Sequence, residues 1–250
     1  NVKVEKCVLQ TGDDGFAIRA ACSSHAMTNH CENIEIRDCD VSSCCYGIRF
    51  GIGTGTIRNV RVFDTRIREA AASGIGFTPA WVVGKRNCYI EDILLSNCTI
   101  SQCVNPVSGG PSAGDSRVVG IRFENCTFET LLPMSLMGAS NCEMSFRNCT
   151  RRAIDRLTVR HRGHWGESDI RNKRMTFAEI GGDKSKISVE NCSPRPFGSA
   201  GVLLMSFDDR NFADWEKAIP PTAASGGWVN AKRSWCLHLT ASIRTQSRFT

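Results

Sequence analysis

One pattern recurs along this chain and limits what it can fold into. Ile93-Leu-Leu-Ser-Asn-Cys-Thr-Ile100 is matched by Val2-Lys-Val-Glu-Lys-Cys-Val8, Ile34-Glu-Ile-Arg-Asp-Cys-Asp-Val41 and Val60-Arg-Val-Phe-Asp-Thr-Arg-Ile67. Ile121-Arg-Phe-Glu-Asn-Cys-Thr-Phe128, Met144-Ser-Phe-Arg-Asn-Cys-Thr150 and Ile187-Ser-Val-Glu-Asn-Cys-Ser193 match it again. Apolar and polar residues alternate, then come Asn or Asp, Cys or Thr, and in most copies a β-branched or aromatic residue. A period of two means strands, so helical repeats are excluded. With Cys7, Cys39, Thr65, Cys98, Cys126, Cys149 and Cys192 as markers, the units step by about 23 to 33 residues, with one longer excursion before Cys192. Units this small cannot bury an apolar face alone and must stack, each strand pairing in parallel with its equivalent one coil away.

The expected fold is therefore all-β, a right-handed single-stranded parallel β-helix. Asn suits a one-residue bend because it tolerates left-handed backbone and can hydrogen-bond to its neighbours above and below, while Cys is a small buried filler beside it. A second set of strands is expected to stack Phe16, Ile48 and Ile75 in one interior row and Ile18, Phe50 and Phe77 in another, with Ala17, Arg19 and Arg49 facing out. We expect one solenoid domain over residues 1–221 and a tail, 222–250, without periodicity. Because Asn1 already lies in a repeat strand, N-terminal coils and a cap are expected to precede it in the natural protein.

Between these strands the sequence predicts loops at 20–31 and at 104–118, the latter rich in Gly, Pro and Ser and placed to wall a groove. An inserted hairpin or loop is expected over 151–186, and a short helix over 206–219 ahead of Pro220 and Pro221.

Fourteen cysteines would ordinarily raise disulfides or metal. Six of them hold one repeat position, which predicts an interior row of thiols. No CxxC pair is present to suggest zinc, and no metal or cofactor is expected. The formal charge of +6 favours a polyanion, and acidic glycans qualify as well as nucleic acid does. There is no Lys/Arg block and no aromatic RNA-binding signature, so no nucleic-acid partner is expected, and no apolar run is long enough to span a membrane.

Thr11-Gly-Asp-Asp-Gly-Phe-Ala-Ile-Arg19 carries the candidate chemistry. Consecutive strand residues point to opposite faces, so Asp13 and Asp14 can serve one cleft only if the backbone bends, which Gly12 and Gly15 permit. Paired carboxylates of this kind suit hydrolysis of a glycosidic bond. A polar turn has the same composition.

Together with the preceding strand from Asn1, this segment resembles glycoside hydrolase family 28, the polygalacturonase-like enzymes, in which a repeat strand leads to Gly-Asp-Asp-Cys-(Ile/Val)-Ala-(Ile/Val). A weaker rung-by-rung similarity extends to about Pro221. The resemblance implies an inverting polysaccharide hydrolase acting on a pectin-like acidic glycan, secreted or periplasmic, with Asp13 and Asp14 catalytic alongside a third aspartate one coil earlier, before Asn1. Among this chain's departures from the family, two fall at substrate-binding segments. Tyr46 stands where the family's Gly-His-Gly has histidine, and Gly76-Phe77-Thr78 stands for its Arg-Ile-Lys.

Arg49, one coil from Gly76, is expected to reach into the space that glycine leaves, and Arg19, Tyr46 and His25 complete the candidate substrate-binding set. His30 and Trp81 are lesser candidates. A non-catalytic glycan-binding or surface β-helix is the alternative, followed by a polysaccharide lyase.

Overall fold

In the computed structural model, the described residues are 1–20, 29–51, 54–79, 88–109, 116–136, 141–154, 157, 178–180, 186–193 and 244–246. They form a parallel β-helix with three sheets, and no helix occurs among them.

The first sheet stacks β1 (Val2–Glu5), β4 (His30–Arg37), β7 (Gly55–Phe63), β10 (Cys88–Ser96), β13 (Arg117–Glu124), β16 (Cys142–Arg147) and β19 (Lys186–Glu190). The second stacks β2 (Val8–Thr11), β5 (Asp40–Ser43), β8 (Arg66–Arg68), β11 (Thr99–Cys103), β14 (Thr127–Thr130) and β17 (Thr150–Ala153). The third holds β3 (Phe16–Ile18), β6 (Tyr46–Gly51), β9 (Ser73–Thr78), β12 (Asn105–Gly109), β15 (Met134–Leu136) and β18 (Ala178–Ile180). Each coil thus passes once through every sheet. One strand breaks the rule: β20 (Arg244–Gln246) pairs antiparallel with β2, Val8 opposite Gln246.

Register follows the repeat. Val8, Asp40, Arg66, Thr99, Thr127 and Thr150 align strand by strand, so the marker residue before each is in step as well. The bends between the first and second sheets fall at Lys6, Asp38, Asp64, Asn97, Asn125, Asn148 and Asn191, all with φ between 50° and 57°. Left-handed backbone costs an L-residue about 1–2 kcal/mol, least for Asn and Asp. Here the side chains offset that cost by bonding along the stack: the Asn97 amide donates to Asp64 Oδ1 (3.1 Å), Asn125 to Asn97 (3.3 Å) and Asn148 to Asn125 (3.1 Å).

A second row of positive φ runs through the first sheet at Asn33, Asn59, Asp92, Gly120 and Asn141. It splits β4, β7, β10 and β13 into two arms, with Asn141 just ahead of β16, and Asn59 donates to Asn33 at 2.6 Å. The eight-residue pattern covers only the later arm, which is why the sequence places the strand at Ile34 and the structure begins it at His30.

Inside the coil, Ile48, Ile75 and Val107 form one row and Phe50 and Phe77 stack in another with centroids 5.1 Å apart. Cys39, Cys98, Cys126, Cys149 and Cys192 are buried in a third row, with Thr65 among them. All twelve described cysteines are free thiols.

Two loop expectations are corrected. Asn105–Gly109 is a strand of the third sheet, paired with β9 and β15. Pro106 falls where neither neighbour pairs: β9 pairs with Asn105, Val107, Ser108 and Gly109, and β15 with Ser108 and Gly109 alone. Within the expected 151–186 insertion, Arg151–Ala153 complete β17 and Ala178–Ile180 form β18, so the coil continues through both ends of that span. The expected helix over 206–219 lies outside the described residues.

Candidate active site

The Gly-Asp-Asp-Gly segment joins β2 to β3, where the chain turns from the second sheet into the third. Thr11 and Ser43, paired across β2 and β5, both donate their hydroxyls to the Asp13 carbonyl at 2.7 Å. Ser43 Oγ also accepts from Cys45 N, and Gly15 N donates to the Tyr46 carbonyl at 2.8 Å. The bend is therefore clamped to the coil that follows it. Gly15 has no room for a side chain: a Cβ there would run into the Val41 side chain and the Gly47 carbonyl. Gly15 serves close packing of the corner, and neither it nor Gly12 has the positive φ by which glycine is expected to permit the bend.

One oxygen of Asp13, one of Asp14 and Cys45 Sγ lie within 4.8 Å of one another. Asp13 is the most open of the three, while the Asp14 side chain is 3% exposed and Cys45 is 5% exposed. Asp14 Oδ2 faces two guanidinium groups, Arg19 at 3.4 Å and Arg49 at 3.5 Å; Oδ1 is buried and makes no hydrogen bond. Burial raises the Asp14 carboxyl above its ordinary range; the Arg49 charge pulls it back, and the Asp13 charge adds to the rise. Burial also drives the Cys45 thiol far up, with the Asp14 charge reinforcing it.

Arg49 does not stand in solvent. It is 2% exposed, donates from Nε to Thr78 Oγ1 (3.3 Å) and lies 4.6 Å from the Tyr46 ring centroid. The expectation that it reaches over Gly76 is also corrected. Tyr46 takes that space, since a Cβ on Gly76 would sit 2.5 Å from the Tyr46 ring. An aromatic ring is flat enough to lie along a glycine, and its face then attracts the guanidinium beside it. Burial pushes the Tyr46 hydroxyl up to about 12, opposed by the Arg49 charge.

Of the other expected site residues, Arg19 is partly exposed and spends one guanidinium nitrogen on Asp14. His30 is exposed at the start of β4. His25 and Trp81 lie outside the described residues. Cys45 was not among the expected site residues, yet a signal for it was present. The offset that pairs Phe16 with Ile48 carries Asp13 onto Cys45 and Asp14 onto Tyr46.

Comparison of the chain with family models, with curated proteins and with solved structures returns no match.

Proposed function

We propose that this protein is a glycan hydrolase in which Asp13 and Asp14 carry the chemistry, one carboxyl protonating the glycosidic oxygen and the other acting on the anomeric side. The observation that carries this reading is the juxtaposition itself: two consecutive acids, which a regular strand would send to opposite faces, meet with oxygens within 4.8 Å at the head of the third sheet. The resemblance of residues 1–18 to glycoside hydrolase family 28 supports the same assignment and favours an acidic glycan as substrate. Basic overall charge suits such a substrate.

The spacing bears on the stereochemical course. An inverting pair leaves roughly 6.5–9.5 Å between carboxyl groups for a water, and a retaining pair sits about 5–5.5 Å apart. Asp13 and Asp14 are close to the shorter range, so inversion would need a third carboxylate to hold the water.

Reducing-end release on a panel of pectic and other acidic glycans tests the proposal, with the anomeric form of the first product read by NMR. Asp13→Asn and Asp14→Asn are each expected to cut turnover by about 10²–10⁴-fold, the usual contribution of a positioned acid or base. Release that survives both substitutions would remove these residues from the reaction.

A second reading, a non-catalytic glycan-binding β-helix, is favoured by one observation. Asp14 and Arg49 are buried against each other, so each neutralises the other's charge instead of presenting it to a ligand. Glycan binding that persists in Asp14→Asn with no release from any glycan would establish it.

A further inference from the structure

We propose that Asp13, Asp14 and Cys45 form a binding site for a divalent transition-metal ion of the zinc type, with solvent in the fourth position.

The donor set comes first. Two carboxylate oxygens and one thiol sulfur lie mutually within 4.8 Å. Zn–S near 2.3 Å and Zn–O near 2.0–2.2 Å place tetrahedral donors about 3.5 Å apart, so closure asks each to move by roughly 1 Å or less. Mixed sulfur and oxygen ligation selects a borderline ion of this kind over calcium or magnesium, which take oxygen alone.

The second observation is independent of the clustering. Asp14 Oδ1 is a buried oxygen with no hydrogen-bond partner, on a side chain only 3% exposed. Buried polar atoms are nearly always satisfied, and an orphan of this kind marks a missing partner. The two guanidinium groups occupy Oδ2, which fixes the carboxylate and leaves Oδ1 for an ion, the arrangement by which outer partners orient a metal-ligating carboxylate.

The local charge also stays small. Asp13, Asp14, Arg19 and Arg49 sum to zero, and binding M²⁺ with loss of the Cys45 thiol proton to solvent leaves a net charge of +1. The sulfur–metal bond replaces the S–H bond and no oxidant is needed. Asp13, on the open side of the cluster, provides the approach.

This site does not depend on the hydrolytic reading, though it shares two residues with it. A bound ion would occupy both carboxylates, so zinc should suppress glycan release wherever release occurs.

Cobalt(II) titration of the protein without glycan tests the proposal. A thiolate-to-cobalt charge-transfer absorption is expected to rise to one equivalent and to disappear on adding Zn²⁺. Cys45→Ser should abolish that absorption, Asp14→Asn should weaken cobalt binding by at least tenfold, and Cys44→Ser, which alters the exposed neighbouring thiol, should leave it unchanged. Because Cys45 is buried, Asp13→Asn at the open bend provides a variant outside the packed interior, and it too should weaken binding. No charge-transfer absorption in the unaltered protein, or the same absorption in folded Cys45→Ser, would overturn the assignment.

Discussion

The corner between the first and second sheets and the corner between the second and third sheets treat polar groups in opposite ways. At the first corner four successive bend residues, Asp64, Asn97, Asn125 and Asn148, bond from one coil to the next. Asn bonds to Asn or Asp, thiols stack behind them, and Arg37, Arg58, Arg117 and Arg147 on the neighbouring face pair with carboxylates one coil away. At the other corner the rows break. The strand offset carries Asp13 onto Cys45 and Asp14 onto Tyr46, and the Asp14 carboxylate meets the buried Arg49, the partly exposed Arg19 and, through Arg49, the Tyr46 ring. Repetition lets one solution satisfy every rung; its interruption leaves an oxygen without a bond. In a solenoid, unlike neighbours are where chemistry can reside.

The largest effect that would sharpen this contrast is expected at the irregular corner. Arg49→Met leaves the buried Asp14 with only the partly exposed Arg19 and should cost up to about 3–5 kcal/mol in chemical denaturation, the usual penalty for removing one partner of a buried pair. The double variant Arg49→Met with Asp14→Asn should recover most of that loss. If the single variant is as stable as the parent, the pair is not buried as described.

At the regular corner, Cys126→Leu should cost about 1–3 kcal/mol by overpacking a filled row. Cys126→Thr should cost less than about 1.5 kcal/mol, because Thr65 already occupies the equivalent place and donates to the Phe63 carbonyl at 2.8 Å. A Thr variant as damaged as the Leu variant would show that the row depends on sulfur.

Asn125→Ala should lose about 1–2 kcal/mol, since it forces alanine into left-handed backbone (φ 54°) and cuts the amide row. Asn125→Gly should lose less, because glycine adopts that backbone freely. Equal losses would assign the whole effect to the side-chain bonds.

The smallest effect at neutral pH, and one that grows only in alkali, concerns the buried thiols. Burial raises Cys88 to about 11 and Cys103 and Cys142 to about 12, against about 8.5 for a free thiol. The folded state therefore holds protons that the unfolded chain releases. Stability is full below about pH 8.5 and falls as pH rises toward 11 to 12. Thermal midpoints measured from pH 8 upward should decline across that window, and an unchanged midpoint at pH 11 would mean these thiols are reached by water.

The strand period, the interior rows through Ile48 and Phe50, and the bend residues were legible in the sequence because each is a local property repeated many times. A strand's inward face is fixed by alternation, and a left-handed bend by what Asn and Asp tolerate. Even where the pattern failed, at Asn105–Gly109, the cause was local: a Pro and two small residues resemble a loop when read alone, and only hydrogen bonds from β9 and β15 make them a strand.

The amino-acid sequence by itself determined that this chain must coil, because no single unit can hide its own apolar face. It also marked Asp13 and Asp14 as the place where the pattern is broken by charge. Tertiary structure alone decided what surrounds them: that Arg49 turns under cover, that Tyr46 lies along Gly76, and that Cys45 comes within reach of both acids. Those contacts join residues one coil apart, and their geometry depends on how side chains of unequal size share the space between adjacent rungs, which no local pattern encodes.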